Sequence, residues 1–295
     1  MSNGNLSDNG FSIYSLSDAG KELFDILNDE FNDIVPGQNP VAVALSGGLD
    51  STVVLAFSLK HRPSIPYTVG TPESTDILKG TKIAKHIGCD AKPILIDDKK
   101  IEVAVSSVTS ITGITDPVRV SILVPLYFVL SHAEEEYIIT GQGADELFGG
   151  YHRYLSLQSD GVQSRMNADL EFLINTGLES ESRIANGFNK HIVYPYLQNR
   201  VINFVKSLPI DYKITEGQRK IILRHVAKLL GLPDEVINSE KKAAQYSSGV
   251  MKGMKRLAKR SGTNLENWIL RLSEVLHSGL GTMNSLRQKL NASLD

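Results

Sequence analysis

Cysteine is almost absent from this chain: Cys89 is the single one in 295 residues. One cysteine excludes an internal disulfide, a CxxC redox pair and a cysteine-rich zinc or iron–sulfur site. The chain therefore reads as intracellular, with a cytoplasmic setting expected. An excess of charge of one sign is also missing. Lys and Arg total 31 against 33 Asp and Glu, a net charge of −2. That argues against a protein that holds nucleic acid by bulk positive charge, and leaves only a local basic patch open. A bilayer span needs about 20 apolar residues. The longest apolar stretch here, Val120 to Leu130, is broken by Ser121 and Pro125 and runs on to three glutamates, Glu134 to Glu136. It reads as a buried helix, and no membrane association is expected. The polar start, MSNGNLSDNG, holds no apolar signal core.

What is present is an ordinary core-forming composition, 41% hydrophobic. Residues 1 to about 15 are dominated by Ser, Asn, Gly and Asp and read as a disordered tail. Phe24, Leu27, Phe31 and Ile34 recur at helical spacing. After Pro36-Gly37 the pattern changes to short apolar strands, Val41–Leu45, Ile65–Val69, Pro93–Ile96 and Tyr137–Thr140. These alternate with helices over 50–60, 76–87, 100–107 and 121–135. Such alternation predicts a doubly wound, mostly parallel α/β sheet with ligands beyond the carboxyl ends of its strands. Beyond about Gly150 the strand pattern stops and amphipathic helices take over. We therefore expect a tail and N-terminal helix (1–38), an α/β region (39–155) and a helical C-terminal region (156–295).

Two glycine turns fall at the expected ligand edge. The first, Ser46-Gly47-Gly48-Leu49-Asp50-Ser51, follows a strand and opens a helix. Its backbone N–H groups and the helix N-terminus suit phosphate oxygens. Asp50 would repel a bare phosphate but suits a shared Mg²⁺. Neither GxxxxGK[ST] nor GxGxxG occupies this place, which disfavours Walker-type and dinucleotide sites. The second turn, Gly141-Gln142-Gly143-Ala144-Asp145-Glu146, brings another carboxylate, Asp145, to the same edge. A plain helix cap is the competing reading for both aspartates.

VALSGGLDSTVV resembles the pyrophosphate loop of the N-type ATP pyrophosphatases. The longer string Ile139 to Tyr151, ITGQGADELFGGY, resembles the segment peculiar to the asparagine synthetase and β-lactam synthetase group of that superfamily. Smaller matches keep the same order: Tyr67 to Gly70, Pro125-Leu126-Tyr127, Pro195-Tyr196-Leu197, the K-x-x-L-R helix at Lys220 to Arg224, and a late lysine segment from Lys241. The resemblance implies ATP cleavage to AMP and pyrophosphate, an acyl-adenylate, and amide formation. It implies ATP contacts at Leu45, Ser46, Gly47, Gly48, Asp50, Ser51, Gly141 and Gly143, with adenine near Val69. It further implies Mg²⁺ on Asp50 and Asp145, and Lys242 (or Lys241) on the phosphates.

Departures from the group pattern narrow these expectations. Glutamine-using members begin with a glutaminase domain and a cysteine at position 2. Here Ser2 stands there, and about 40 residues precede the first turn. Nitrogen is expected from ammonia, a substrate amine or a separate glutaminase subunit; a homodimer is compatible with the sequence. Gln142 replaces the usual Glu or Tyr, and a neutral amide is no general base. His191 and Val193 replace an acid and an arginine, so aspartate is not the evident carboxylate substrate. The matching arginine ahead of Pro125 is displaced to Arg119. Asp50→Asn and Asp145→Asn are each expected to cut turnover by orders of magnitude without unfolding the chain, because losing one carboxylate relieves repulsion. The alternatives are a tRNA-modifying PP-loop enzyme and a nucleotide-binding, non-catalytic relative. The stripe Lys252, Lys255, Arg256, Lys259, Arg260 reads as a solvated face, and nucleic-acid binding is not expected from it.

Overall fold

The structure is a computed structural model that describes residues 15–157, 159–215, 217–239 and 247–278. The polar tail before residue 15 and the lysine pair Lys241 and Lys242 lie outside the described residues. The chain opens with α1 (Leu16–Asp33), β1 (Val41–Ala44), α2 (Leu49–His61), β2 (Ser64–Gly70), α3 (Thr75–His86) and β3 (Lys92–Leu95). It continues through α4 (Asp98–Thr112), α5 (Pro117–His132), β4 (Tyr137–Ile139) and the short α6 (Ala144–Phe148). Then come α7 (Ser159–Phe172), a π-helical turn (Leu173–Gly177), α8 (Leu178–Gly187), β5 (His191–Val193) and α9 (Asn199–Ser207). A small hairpin, β6 (Ile214–Thr215) and β7 (Gln218–Arg219), leads into α10 (Ile221–Leu229), α11 (Asp234–Ile237), α12 (Val250–Arg260) and α13 (Leu265–Ser278).

The main sheet has the order β3-β2-β1-β4-β5, with every pairing parallel. Alternate side chains of a strand point to opposite faces. Val41 and Val43 accordingly enter one core, with α1, α2, α9 and α10, while Ala42 enters the other, with α4, α5, α12 and α13. The chain builds outward from β1 to β3, then crosses to β4 on the other side of β1. The gap between the ends of β1 and β4 is thus the topological switch point where ligands enter such sheets.

Local chemistry fixes the helix ends. The carboxylate of Asp97 accepts from Lys100 N (2.8 Å) and that of Asp116 from Arg119 N (2.8 Å), each satisfying a donor left open at a helix start. With Asp116 as cap and Pro117 in the first turn, α5 begins four residues ahead of the Ser121 start expected from periodicity. At the far end of α1, buried Arg62 donates to the carbonyls of Phe31, Asn32, Val35 and Gly37 at 2.9–3.3 Å. A cation at a helix C-terminus also suits the dipole there.

The doubly wound class and the helical C-terminal region are as expected, and all four expected strands are present. The difference is that strands do not end at Gly150. His191–Val193 forms a fifth parallel strand on β4, with Ile138 opposite Ile192, and the β6–β7 hairpin follows. A three-residue edge strand has too little length to display a period of two. The basic stripe on α12 is partly engaged, since Arg256 and Arg260 both pair with Asp98 at the start of α4. Among the described residues no single helix is long and apolar enough to cross a membrane.

Candidate active site

The first glycine turn leaves β1 and enters α2 through Gly48, which brings no capping side chain. Its first-turn N–H groups are therefore not occupied by a capping side chain of the chain itself. The turn is braced internally instead. Ser51 Oγ accepts from Ser46 N (3.2 Å), donates to Gly48 O (3.3 Å), and lies 3.1 Å from Ser46 Oγ. Gly47 has φ +73°, and a Cβ there would run into Gly80 N and Lys79 at 2.7 Å, so α3 closes the turn from behind. Leu45 is buried beneath it, and Val69 lies near the end of the neighbouring strand, β2.

The second turn leaves β4 and abuts the first. A Cβ on Gly141 would lie 3.2 Å from the backbone carbon and Cβ of Asp50. Gly143 takes φ +91° against Leu197, again leaving no room for a side chain. This contact brings Asp50 and Asp145 to one place, and between them stands Lys220. Its ammonium lies 2.6 Å from both oxygens of Asp50 and 2.7 Å from Asp145 Oδ1. Lys220 is buried, and follows the β6–β7 hairpin in a left-handed conformation (φ +58°) that few non-glycine residues adopt. Arg219 beside it donates to Gly150 O (2.6 Å), tying the hairpin to the end of the second turn. Gly150 itself lies so close that a Cβ would collide with Asp145 Oδ1 and Lys220 Cε. Burial draws the Lys220 pKa down, and the charge of Asp50 opposes that.

A cavity of about 600 Å³ opens on the side of the second turn. Gln142 and Glu146 line it, with Arg119, Ile122, Phe172, Leu173 and Glu181 among the remaining walls. Gln142 Nε2 donates to Glu181 Oε1 (3.0 Å), and Tyr194 Oη donates to Glu181 Oε2 (2.9 Å). Burial pushes the Glu181 pKa up to about 7, opposed by the Tyr194 hydrogen bond and helped by the charge of Glu146. Glu146, held by Tyr151 Oη at 2.5 Å, is itself raised by burial. On the other side of the sheet edge, Ser247 Oγ donates to Asp76 Oδ2 (3.0 Å) and Thr71 N donates to Ser248 O (3.0 Å). The chain just after the lysine pair is thereby fastened beside the end of β2. Asp76 is raised to about 6 by burial.

The asparagine synthase family model matches residues 23–171 and 157–282, most of the chain. The chain belongs to the asparagine synthase family. It is 28% identical over 269 residues to the asparagine synthetase (glutamine-hydrolyzing) 1 of Methanocaldococcus jannaschii, covering 77% of this chain and 49% of that one. It is also 28% identical over 230 residues to the carboxyethyl-arginine beta-lactam-synthase of Streptomyces clavuligerus, covering 76% and 43%. The chain thus spans about half the length of the curated relatives it matches. Among solved structures, an NMN synthetase from Francisella tularensis aligns over 91% of this chain and 97% of its own, with 13% identity and a TM-score of 0.43.

Within this member of the family, the residues expected in the two turns come together: Ser46 to Ser51, Gly141, Gly143 and the pair Asp50 and Asp145. The Gln142 side chain instead holds Glu181. Sequence reasoning missed two residues. Lys220 begins the K-x-x-L-R string and could have been placed at the site on that ground. Glu181 carries no signal, since 39 residues of chain separate it from Gln142 and it falls in an unremarked helix. Lys220 also overturns one expectation. Asp50 and Asp145 do not stand as a bare repelling pair, so removing either one breaks an ion pair rather than relieving strain.

Proposed function

We propose that this chain is an AMP- and pyrophosphate-forming carbon–nitrogen ligase that makes an amide through an acyl-adenylate. The observation that carries the reading is the meeting of three features at the switch point. A phosphate-sized turn lies on one side, two carboxylates converge on one cation, and a pocket with a buried acid opens on the other side. A carboxylate oxygen of the acid substrate attacks the α-phosphorus of ATP. The bond to the bridging oxygen breaks, and pyrophosphate leaves with the electron pair. An amine nitrogen then attacks the acyl carbon, its proton passes to Glu181, and AMP departs with the electrons of the carbon–oxygen bond. A carboxylate poised near neutral pH suits that transfer, and it fills the role that Gln142 cannot.

The turn residues Ser46 to Ser51 would hold the phosphates, with adenine beyond Val69. Mg²⁺ is commonly bound by one or two carboxylates together with substrate phosphates. Asp50 and Asp145 fit that pattern, since both already face one cation, Lys220. When bound there, the ion would neutralise charge on the leaving pyrophosphate. Lys242, or its neighbour Lys241, would add a positive charge to the same group. The nitrogen would come from ammonia, an organic amine or a separate glutaminase subunit.

Purified chain incubated with ATP, Mg²⁺, a panel of carboxylates and ammonium or amines is expected to release AMP and pyrophosphate together. Absence of both ATP binding and AMP formation across the panel refutes the reading. ATP binding without turnover would favour a non-catalytic relative, and tight tRNA binding that salt weakens steeply would favour a tRNA-modifying enzyme.

A further inference from the structure

The pocket beside Gln142 is too large and too apolar for ammonia. Its volume of about 600 Å³ falls in the range that holds drug-sized ligands. Ammonia is close to water in size, and water takes roughly 30 Å³ of liquid volume. Two large apolar side chains on its wall face solvent, Ile122 at 40% exposure and Phe172 at 58%. Such a wall gains when the body of a ligand covers it.

The charges in the pocket are equally specific. Glu181 is 5% exposed and Glu146 7%, and their named partners are the neutral donors Gln142, Tyr194 and Tyr151. Among the described residues no Lys or Arg lies within ion-pair distance of either. The charge of Lys220 acts on Glu146 from beyond ion-pair distance, and two neighbouring buried acids with neutral hydrogen-bond partners favour an incoming cation. The arginines divide the opposite way. Arg153 and Arg165 are both engaged by Asp169, at 2.7 and 3.2 Å. Arg119 stands over the Phe172 ring at 5.9 Å, and among the described residues no carboxylate lies within ion-pair distance of its guanidinium.

We infer that this pocket takes an amine carried on an apolar body with an anionic group of its own. Glu181 and Glu146 receive the ammonium, Ile122, Leu173 and Phe172 cover the body, and Arg119 meets the anion. The assignment deepens the ligase reading and rests on it. It makes Phe172 and Arg119 determinants of specificity.

Calorimetric titration without ATP tests the assignment apart from turnover. The probes are 4-(aminomethyl)benzoate, 4-methylbenzoate (no ammonium), benzylamine (no carboxylate), and aspartate with ammonium chloride. The first is expected to bind at least about tenfold tighter than each of the others. Glu181→Gln should remove its advantage over 4-methylbenzoate, and Arg119→Ala its advantage over benzylamine. Phe172→Ala should weaken both aromatic amines. The assignment is overturned if 4-(aminomethyl)benzoate binds no better than aspartate with ammonium, or if Glu181→Gln and Arg119→Ala bind it as wild type does. It is overturned equally if ammonium alone supports full AMP formation. Probe binding without any ATP-to-AMP turnover would instead count against the ligase reading and leave the pocket assignment standing.

Discussion

Replacing Lys220 by methionine keeps the length of the side chain and removes the cation that two aspartates share. In the native chain the ammonium lies 2.6 Å from Asp50 and 2.7 Å from Asp145. Without it, two carboxylates about 5 Å apart face each other, a repulsion on the order of 3 kcal/mol at an effective dielectric of about 20. Removing one member of a buried pair typically costs ~3–5 kcal/mol. The aspartate side chains keep 22% and 15% of their exposure, which lets water soften the charge. We therefore expect a loss of about 2–4 kcal/mol, seen as a fall in Tm of roughly 3–7 °C for a chain of this length. Mg²⁺ should recover part of that loss in Lys220→Met, because it can fill the vacated place, and should raise the wild-type Tm less. Thermal melts followed by circular dichroism, with and without Mg²⁺, measure both effects. An unchanged Tm, or a loss that Mg²⁺ leaves untouched, would refute the idea that Lys220 balances this pair.

Glu181 must be ionised to accept a proton, so the rate should rise with pH through about 7. Tyr194→Phe removes the hydrogen bond that holds its pKa down and should move that rise to higher pH. In stability the sign is reversed. A carboxyl raised by folding binds its proton more tightly in the native state, so its contribution is lost between the ordinary value of 4.5 and about 7. Glu181→Gln should accordingly gain on wild type in urea melts as pH rises through that window. Arg62→Lys cannot reproduce four hydrogen bonds to the end of α1, and should cost ~2–4 kcal/mol by urea denaturation. Gly150→Ala drives a methyl group into Asp145 and Lys220. It should lower both stability and ATP affinity, while Gly217→Ala, with open space at its Cβ and only backbone strain, should spare ATP affinity.

The legible parts of this fold are those encoded by neighbours in sequence. Val41 to Leu45 followed by Ser-Gly-Gly is strand, turn and helix start within a dozen residues, and the structure places all three there. The same holds for Tyr137 to Glu146. His191–Val193 was illegible as a strand because its three residues form an edge that the sheet, not local pattern, selects. Lys220 reaches Asp50 across 170 residues and Glu181 reaches Gln142 across 39, so no local spacing announces either contact. The expectation that losing either carboxylate relieves repulsion counted two charges where the fold brings three. A neutral amide at Gln142 is no base, and the acid it holds, Glu181, shows itself only when the chain folds back on itself.

The central claim concerns where ATP is cut. Nucleotide products can be separated after the chain turns over with Mg²⁺, an amine and a carboxylate substrate labelled with oxygen-18 in its carboxyl group. The acyl-adenylate route predicts AMP and pyrophosphate in equal amounts, with one labelled oxygen carried from the carboxylate into the phosphate of AMP. ADP and phosphate as products, or AMP without the label, would contradict it.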